Sequence, residues 1–264
     1  MSNTLSELVR NALIGGMLVG FVASYFGVFV VQRRMAFLGS GLAHAAFGGI
    51  ALGLFANIEP VYIAIPFTIV FAVAIVWVRE HSVLVEDTVI GVVVAVAMAL
   101  GIVFIQLKSN YVDAQTYLFG SVTFIEESDV RMAFAMGCAT LVTLPLWGSW
   151  AYATFDRNLA QTDRLKVRFH DYALAVAMAL AIVVSIKLVG ILLISTFLVL
   201  PAATARLLSR SFLQMTIISI LIGTLTPAAG LYISLAPDWP PSATIVLLQA
   251  ALFVVALAIR RATQ

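Results

Sequence analysis

Charge is scarce in this sequence. Acidic and basic side chains together make up 11% of its 264 residues, whereas a soluble domain carries roughly 25%. That shortage excludes an ordinary soluble protein. Cysteine is scarcer still: Cys138 is the single one, in an apolar run. It can form neither an intramolecular disulfide nor a thiolate cluster, and it is expected to serve packing alone. The pattern GxxxxGK[ST] does not occur, so the chain has no P-loop with which to cradle a nucleotide. No HExxH or Ser/His/Asp arrangement points to hydrolysis inside a membrane. The opening MSNTLSELVRNALIGG lacks a basic n-region followed by a cleavage site, and it reads as a retained amphipathic lead-in to the first span.

What is present is apolar. Hydrophobic residues make up 62% of the chain, and the mean hydropathy is +1.06. The sequence therefore predicts an all-α, polytopic membrane protein. At about 20 residues per span, the length allows eight or nine transmembrane helices in a single integral membrane domain over 1–264. Apolar runs fall at 11–31, 35–57, 60–78, 88–107, 131–150, 172–186, 188–204, 212–235 and 242–259. The decision lies at 172–204, which reads as one long span or two short ones. With two, Arg33, Arg34, Arg79, Arg157, Arg164, Lys166, Arg168, Arg206, Arg210, Arg260 and Arg261 share one side, and only Arg10, Lys108, Arg131 and Lys187 face the other. That asymmetry satisfies the positive-inside rule and puts the C-terminus in the cytoplasm and the N-terminus outside. A single span would destroy it. Two spans are therefore expected, with Lys187 at a tight outer turn. Pro201 is expected to break the second helix where the chain leaves the membrane. The net charge of +2, with basic residues in loops, gives no indication of nucleic-acid binding.

Within the second run, RRMAFLGSGLAHAAFGGIALG (33–53) places His44 a few turns inside a helix that otherwise reads as membrane-buried. An ionisable group at that depth costs on the order of 2.5 kcal/mol or more and marks a functional position by default. Ser40, His44 and Gly48 follow at i, i+4 and i+8 along one stripe. Gly41, Ala45, Gly49 and Gly53 form the adjacent small-residue ladder, suited to close helix packing. A neutral imidazole is a common zinc ligand and also suits manganese and iron, with Ser40 as a weak oxygen donor. The alternative is a histidine that merely hydrogen-bonds a backbone carbonyl between packed helices.

Other features have quieter readings. Gly16 and Gly20 form a second GxxxG, a packing signal. Glu86 and Asp87 open a span, where carboxylates favour the helix dipole. Lys187 either attracts anions or, more simply, snorkels to water. His81 and His170 sit in or beside loops on the basic side and are expected to be solvated. The outer loop 108–130, with Asp113, Glu126, Glu127 and Asp129, is acidic, as either a solvated loop or a surface for cations or a protein.

Three stretches together resemble the permease subunits of ABC-type metal importers, the family that carries zinc, manganese or iron across bacterial membranes. They are 33–53; EDTVIGVVVAVAMALGI (86–102) with LFGSVTFIEESDV (118–130); and KLVGILLISTFLVLPAATARLLS (187–209). The likeness runs over nearly the whole chain, in the family's order. It implies a fold like the vitamin B12-type (type II) importer permease, with a short descending helix that matches the two-span reading. It also implies a cell (inner) membrane location, a homodimer or a pair of permeases, two cytoplasmic ATPase subunits, and an extracytoplasmic metal-binding protein. No cofactor resides in the chain; the metal is cargo. By the same resemblance, PAATARLLSRS docks the ATPase, through Pro201, Ala202, Ala203, Thr204, Ala205, Arg206, Leu207, Ser209 and Arg210.

One departure bears on the cargo. Many relatives carry GDxLxHA in the second helix, with aspartate and histidine lining the metal path; here the aspartate position is Ser40 and only His44 matches. One carboxylate fewer weakens the path for a hard ion such as manganese more than for an imidazole-friendly ion such as zinc, so zinc is favoured. Manganese, iron and a chelated metal such as haem or a siderophore stay open. From another class, an ATPase-independent secondary carrier would need membrane-embedded carboxylates, and mid-span positions show none.

Overall fold

The computed structural model describes residues 2–108, 127–235 and 239–262. Among them the regular structure is helical: α1 (Ser2–Gln32), α2 (Ala36–Ala56), α3 (Pro60–His81), α4 (Glu86–Lys108), α5 (Glu127–Val142), α6 (Trp147–Phe155), α7 (Arg157–Thr162), α8 (Val167–Leu208), α9 (Phe212–Leu235) and α10 (Pro241–Ala262). A single 3-10 turn, Leu144–Leu146, joins α5 to α6 at Pro145, so the two share one crossing. Eight segments are long and apolar enough to span a bilayer, and Leu193–Leu208 is a shorter apolar helix. Asp113, Glu126 and the stretch 118–126 lie outside the described residues.

α1, α2 and the first part of α8 form the centre. In each, 72% of the most apolar window is buried, against 22% in α10, whose apolar surface is left for lipid. Small residues permit the tight packing. A Cβ at Gly20 would stand 1.9 Å from the Gly223 carbonyl oxygen of α9, so the Gly16/Gly20 pair packs α1 on α9 as expected. The ladder on α2 packs against α3 and α4, Gly49 meeting Ala64 and Gly41 meeting Ile90.

The 42-residue α8 is two helices meeting at Gly190, whose φ is 81° and ψ 162°. On a straight helix Asp171 and Arg206 would stand about 50 Å apart. Yet Asp171 bonds Arg33 and Arg206 donates to the Val31 carbonyl, both at the C-terminal end of α1. The chain therefore reverses at Gly190. It rises through Val167–Ile191 and returns through Leu193–Leu208, about 24 Å long and short for a hydrocarbon core of about 30 Å. The return helix lies so close on α1 that a Cβ at Gly27 would meet the Leu198 carbonyl oxygen at 2.0 Å. The two-segment reading of 172–204 holds, with two corrections. The turn is at Gly190, because only glycine adopts that backbone region readily, and Lys187 stays helical. Pro201 lies inside the helix, which runs on to Leu208; packed neighbours let an interior proline be tolerated in membrane helices. Any Cβ at Gly190 strains the reversal, and such backbone costs of order 1–3 kcal/mol. Gly190→Ala is expected to lower the detergent-solubilised protein's midpoint of thermal unfolding; an unchanged midpoint would deny the strain.

Alternation then puts the ends of α1, α3, α6 and α10 and the starts of α4, α8 and α9 on one face. That face carries the eleven basic residues grouped by the sequence.

Candidate metal path and its helical supports

α2 is buried along most of its length, but Ala36, Phe37, Ser40 and His44 form a stripe that stays partly open. The stripe closes beyond His44: Gly48 is buried against α4, where an added Cβ would stand 2.6 Å from the Ala97 carbonyl oxygen. His44 Nδ1 lies 2.7 Å from the Ser40 carbonyl oxygen, one turn back, and 3.4 Å from Ser40 Oγ. The carbonyl can only accept, so Nδ1 carries the proton and Nε2 the lone pair. The backbone hydrogen bond and a ligand role are thus compatible, because they use different nitrogens. Among the described residues, no group of three or more His, Cys, Asp or Glu side chains comes together to hold a metal. The stripe brings one imidazole and one hydroxyl together within a helical turn.

Of the residues proposed to dock an ATPase, Pro201, Ala202, Thr204 and Ala205 are buried, Ala203, Leu207 and Ser209 are half-buried, and Arg206 and Arg210 are exposed. Leu208 and Leu213 stand exposed beside them. Phe212, the first residue of α9, anchors the bend: it stacks on Trp147 at 5.3 Å and meets Phe29 edge-on at 5.5 Å.

The sequence reading missed the strongest electrostatic feature. Asp171, 3% exposed, accepts from Arg33 at 2.6 Å, Arg79 at 2.8 Å and Arg157 at 2.5 Å. These arginines come from the end of α1, from α3 and from α7. Arg79 also reaches Glu86 at 3.4 Å, and Glu80 pairs with Arg157 and Arg168 at 3.7 Å each. Arg33 Nε donates to Thr154 of α6. One carboxylate thereby fastens four helices at the basic face. Burial lowers the pKa of Arg33 from its ordinary value, against the pull of Asp171, but a guanidinium keeps its proton regardless. The signal in the sequence was a carboxylate at the start of a span on a face crowded with arginines.

Two quieter readings change. His170 is 9% exposed and edge-on to Phe169, so it is buried rather than solvated. Its neighbours in space close over it. Lys187 is held by Asp129 at 2.8 Å and Glu59 at 3.9 Å, an ion-paired lysine rather than one reaching freely to water. His81 is exposed as expected, Nδ1 bonding the Trp77 carbonyl at 2.8 Å. Glu86 and Asp87 open α4, as expected. Cys138 is exposed, on a helix face left for lipid or a partner.

Comparison with known proteins agrees with this architecture. Residues 5–260 match the model of the ABC 3 transport family. The chain is 32% identical over 256 residues to the high-affinity zinc uptake system membrane protein ZnuB of Haemophilus influenzae, covering 95% of this chain and 97% of that one. It is 31% identical over 250 residues to the manganese import system permease protein ScaB of Streptococcus gordonii, covering 94% and 90%. The solved structure of PsaBC from Streptococcus pneumoniae in complex with Fab superposes with a TM-score of 0.84 at 29% identity, over 97% of this chain and 95% of that one. With eight apolar spans, a glycine-turned return helix and a matching family model over nearly its full length, the chain belongs to the ABC 3 transport family, as a multi-pass permease of the ABC metal-importer type.

Proposed function

We propose that this chain forms the translocation path of an ATP-driven zinc importer, working as a pair of permeases. Two cytoplasmic ATPase subunits and an extracytoplasmic metal-binding protein complete the assembly. The basic face, with the C-terminus, is cytoplasmic by the positive-inside rule. The observation that carries the reading is the pairing of His44 with the Ser40 carbonyl at 2.7 Å. It leaves the Nε2 lone pair available on a partly open stripe where the hydroxyl of Ser40 stands in place of a carboxylate. Imidazole with a neutral oxygen suits zinc, whereas manganese favours carboxylate oxygens. Weak, passing coordination also suits transport, since a site that holds its ion tightly does not release it. ATP binding and hydrolysis in the partners then move the 201–211 segment and reverse access to the path.

The test is metal-dependent ATP hydrolysis and uptake by the complete importer in proteoliposomes. Zinc is expected to be transported in preference to manganese, and Ser40→Asp is expected to raise manganese uptake relative to zinc. A parent importer that prefers manganese overturns the choice of cargo while leaving the path intact. ATPase docking has its own check. Arg206→Glu and Arg210→Glu are each expected to reduce the ATPase that co-purifies with the permease. The second variant matters because Arg206 also bonds Val31; normal complex formation by both would remove the docking assignment.

A further inference from the structure

The chain between the spans ending at Phe155 and beginning at Val167 is built more firmly than a connecting loop requires. Ala153, Ala160 and Val167 form a small buried core of their own, with Tyr152 and Leu165 packed against it. Asp156 caps α7 by accepting from the Leu159 amide at 2.9 Å. The Tyr152 hydroxyl donates to Asp163 at 2.5 Å, and Arg157 donates to Asp171 at 2.5 Å. This fixed element nevertheless presents Phe155 at 57% and Leu159 at 50% exposure, with exposed Arg164, Lys166 and Arg168 close by in the chain.

These apolar side chains are not isolated. Phe155 meets Phe212 edge-on at 5.4 Å, and Phe212 follows directly on the segment that carries Arg206, Leu208 and Arg210. Phe155 closes α6, so the α6–α7 corner, with Leu159 one turn on, continues the surface proposed above as the ATPase contact. Through Arg157 and Asp171 it is also bolted to Arg33, three residues before α2, the helix that carries Ser40 and His44.

We propose that α7 is a second docking element for the ATPase subunit, so that the partner grips two adjoining elements of the basic face rather than the 201–211 segment alone. The inference rests on the docking reading under the proposed function. The partner surface that fits is a cleft with an apolar floor for Leu159 and Phe155 and acidic residues at its rim. Force applied at α7 reaches the path through Arg157, Asp171 and Arg33, while force applied at the bend reaches it through the return helix on α1 and α2. A lipid surface would explain the exposed apolar and basic side chains, but not the rigid coupling to the path helix.

The single native cysteine makes the test direct. Cys138 is exposed, so Cys138→Ser gives a cysteine-free background, into which Leu159→Cys or Leu208→Cys is placed. Each variant is labelled with a short photoactivatable maleimide in the complete importer and illuminated. Adducts with the ATPase subunit from both positions are expected. Leu159→Asp in the native background is expected to lower co-purified ATPase and ATP-driven uptake several-fold. Crosslinking at 208 without any at 159 overturns the proposal and leaves the docking reading standing. Crosslinking at 159 alone upholds α7 and removes the 201–211 assignment, whereas none at either position sinks both. Adducts from 159 with phospholipid alone assign the face to the membrane and likewise overturn the proposal.

Discussion

His44→Ala is expected to cut zinc uptake by the assembled importer on the order of 10- to 100-fold, the range seen when groups supporting a metal site are removed. Helix α2 itself is expected to survive. Alanine is the best helix former, and His44 is only half-buried, so no large void opens. The bond that is lost, from Nδ1 to the Ser40 carbonyl, is a side-chain addition to a helix whose own ladder stays complete. Membrane abundance and ATPase association therefore serve as controls and are expected to hold. His44→Cys supplies a soft ligand in the same place and is expected to recover part of the zinc uptake but not manganese uptake. Unchanged transport by the alanine variant would reduce His44 to a packing residue and would carry the proposed path with it.

Asp171→Ala is expected to have the largest effect on stability. Three guanidinium groups converge on this carboxylate within 2.8 Å, and Arg33 and Arg79 are each only 12% exposed. Removing one member of a buried ion-pair group leaves uncompensated charge and costs about 3–5 kcal/mol. Glu80 and Glu86 already serve Arg157, Arg168 and Arg79, so they offset the loss only in part. Thermal unfolding in detergent is the measurement: a large fall in midpoint is expected for Asp171→Ala, and a smaller one for Asp171→Asn, which keeps the shape and part of the hydrogen bonding. A variant as stable as the parent would show that water or lipid headgroups neutralise the arginines, and that the cluster does not hold the four helices.

Much of the fold was legible because hydropathy is read locally. Leaving a backbone amide unpaired in lipid costs several kcal/mol, so long apolar runs have to become helices; the runs at 35–57 and 60–78 accordingly became α2 and α3 within a few residues. The placement of arginines separated one segment from two at 172–204, although hydropathy alone could not. The turn itself was misplaced at Lys187, for a physical reason. A charged residue advertises water in the sequence, but Asp129 and Glu59 arrive from distant positions to pair with it. Gly190 carries no mark that distinguishes it from a glycine inside a helix. Pro201 misled in the same way, since whether a proline ends a membrane helix depends on what packs around it.

The site divides similarly. Ser40 and His44 were visible as polar residues at helical spacing within an apolar run, and the small residues around them announced close packing. Their relation was not visible: which histidine nitrogen is occupied follows from a rotamer that places Nδ1 against the carbonyl one turn back. Of the proposed docking segment, the sequence supplied the stretch, but burial left Arg206 and Arg210 as its exposed charged side chains.

By itself, then, the amino-acid order determined that this chain lives in a membrane, where most of its apolar helices run, which face is basic, and where an imidazole stands among small residues. Those are properties of short windows, set by the transfer of apolar and charged groups between water and lipid. Only the tertiary structure decided that α8 doubles back at Gly190, that Asp171 gathers arginines from α1, α3 and α7, and that Phe155 at the end of α6 meets Phe212 at the bend. These are pairings between residues far apart in the chain, and their energy exists only once packing has brought the partners together.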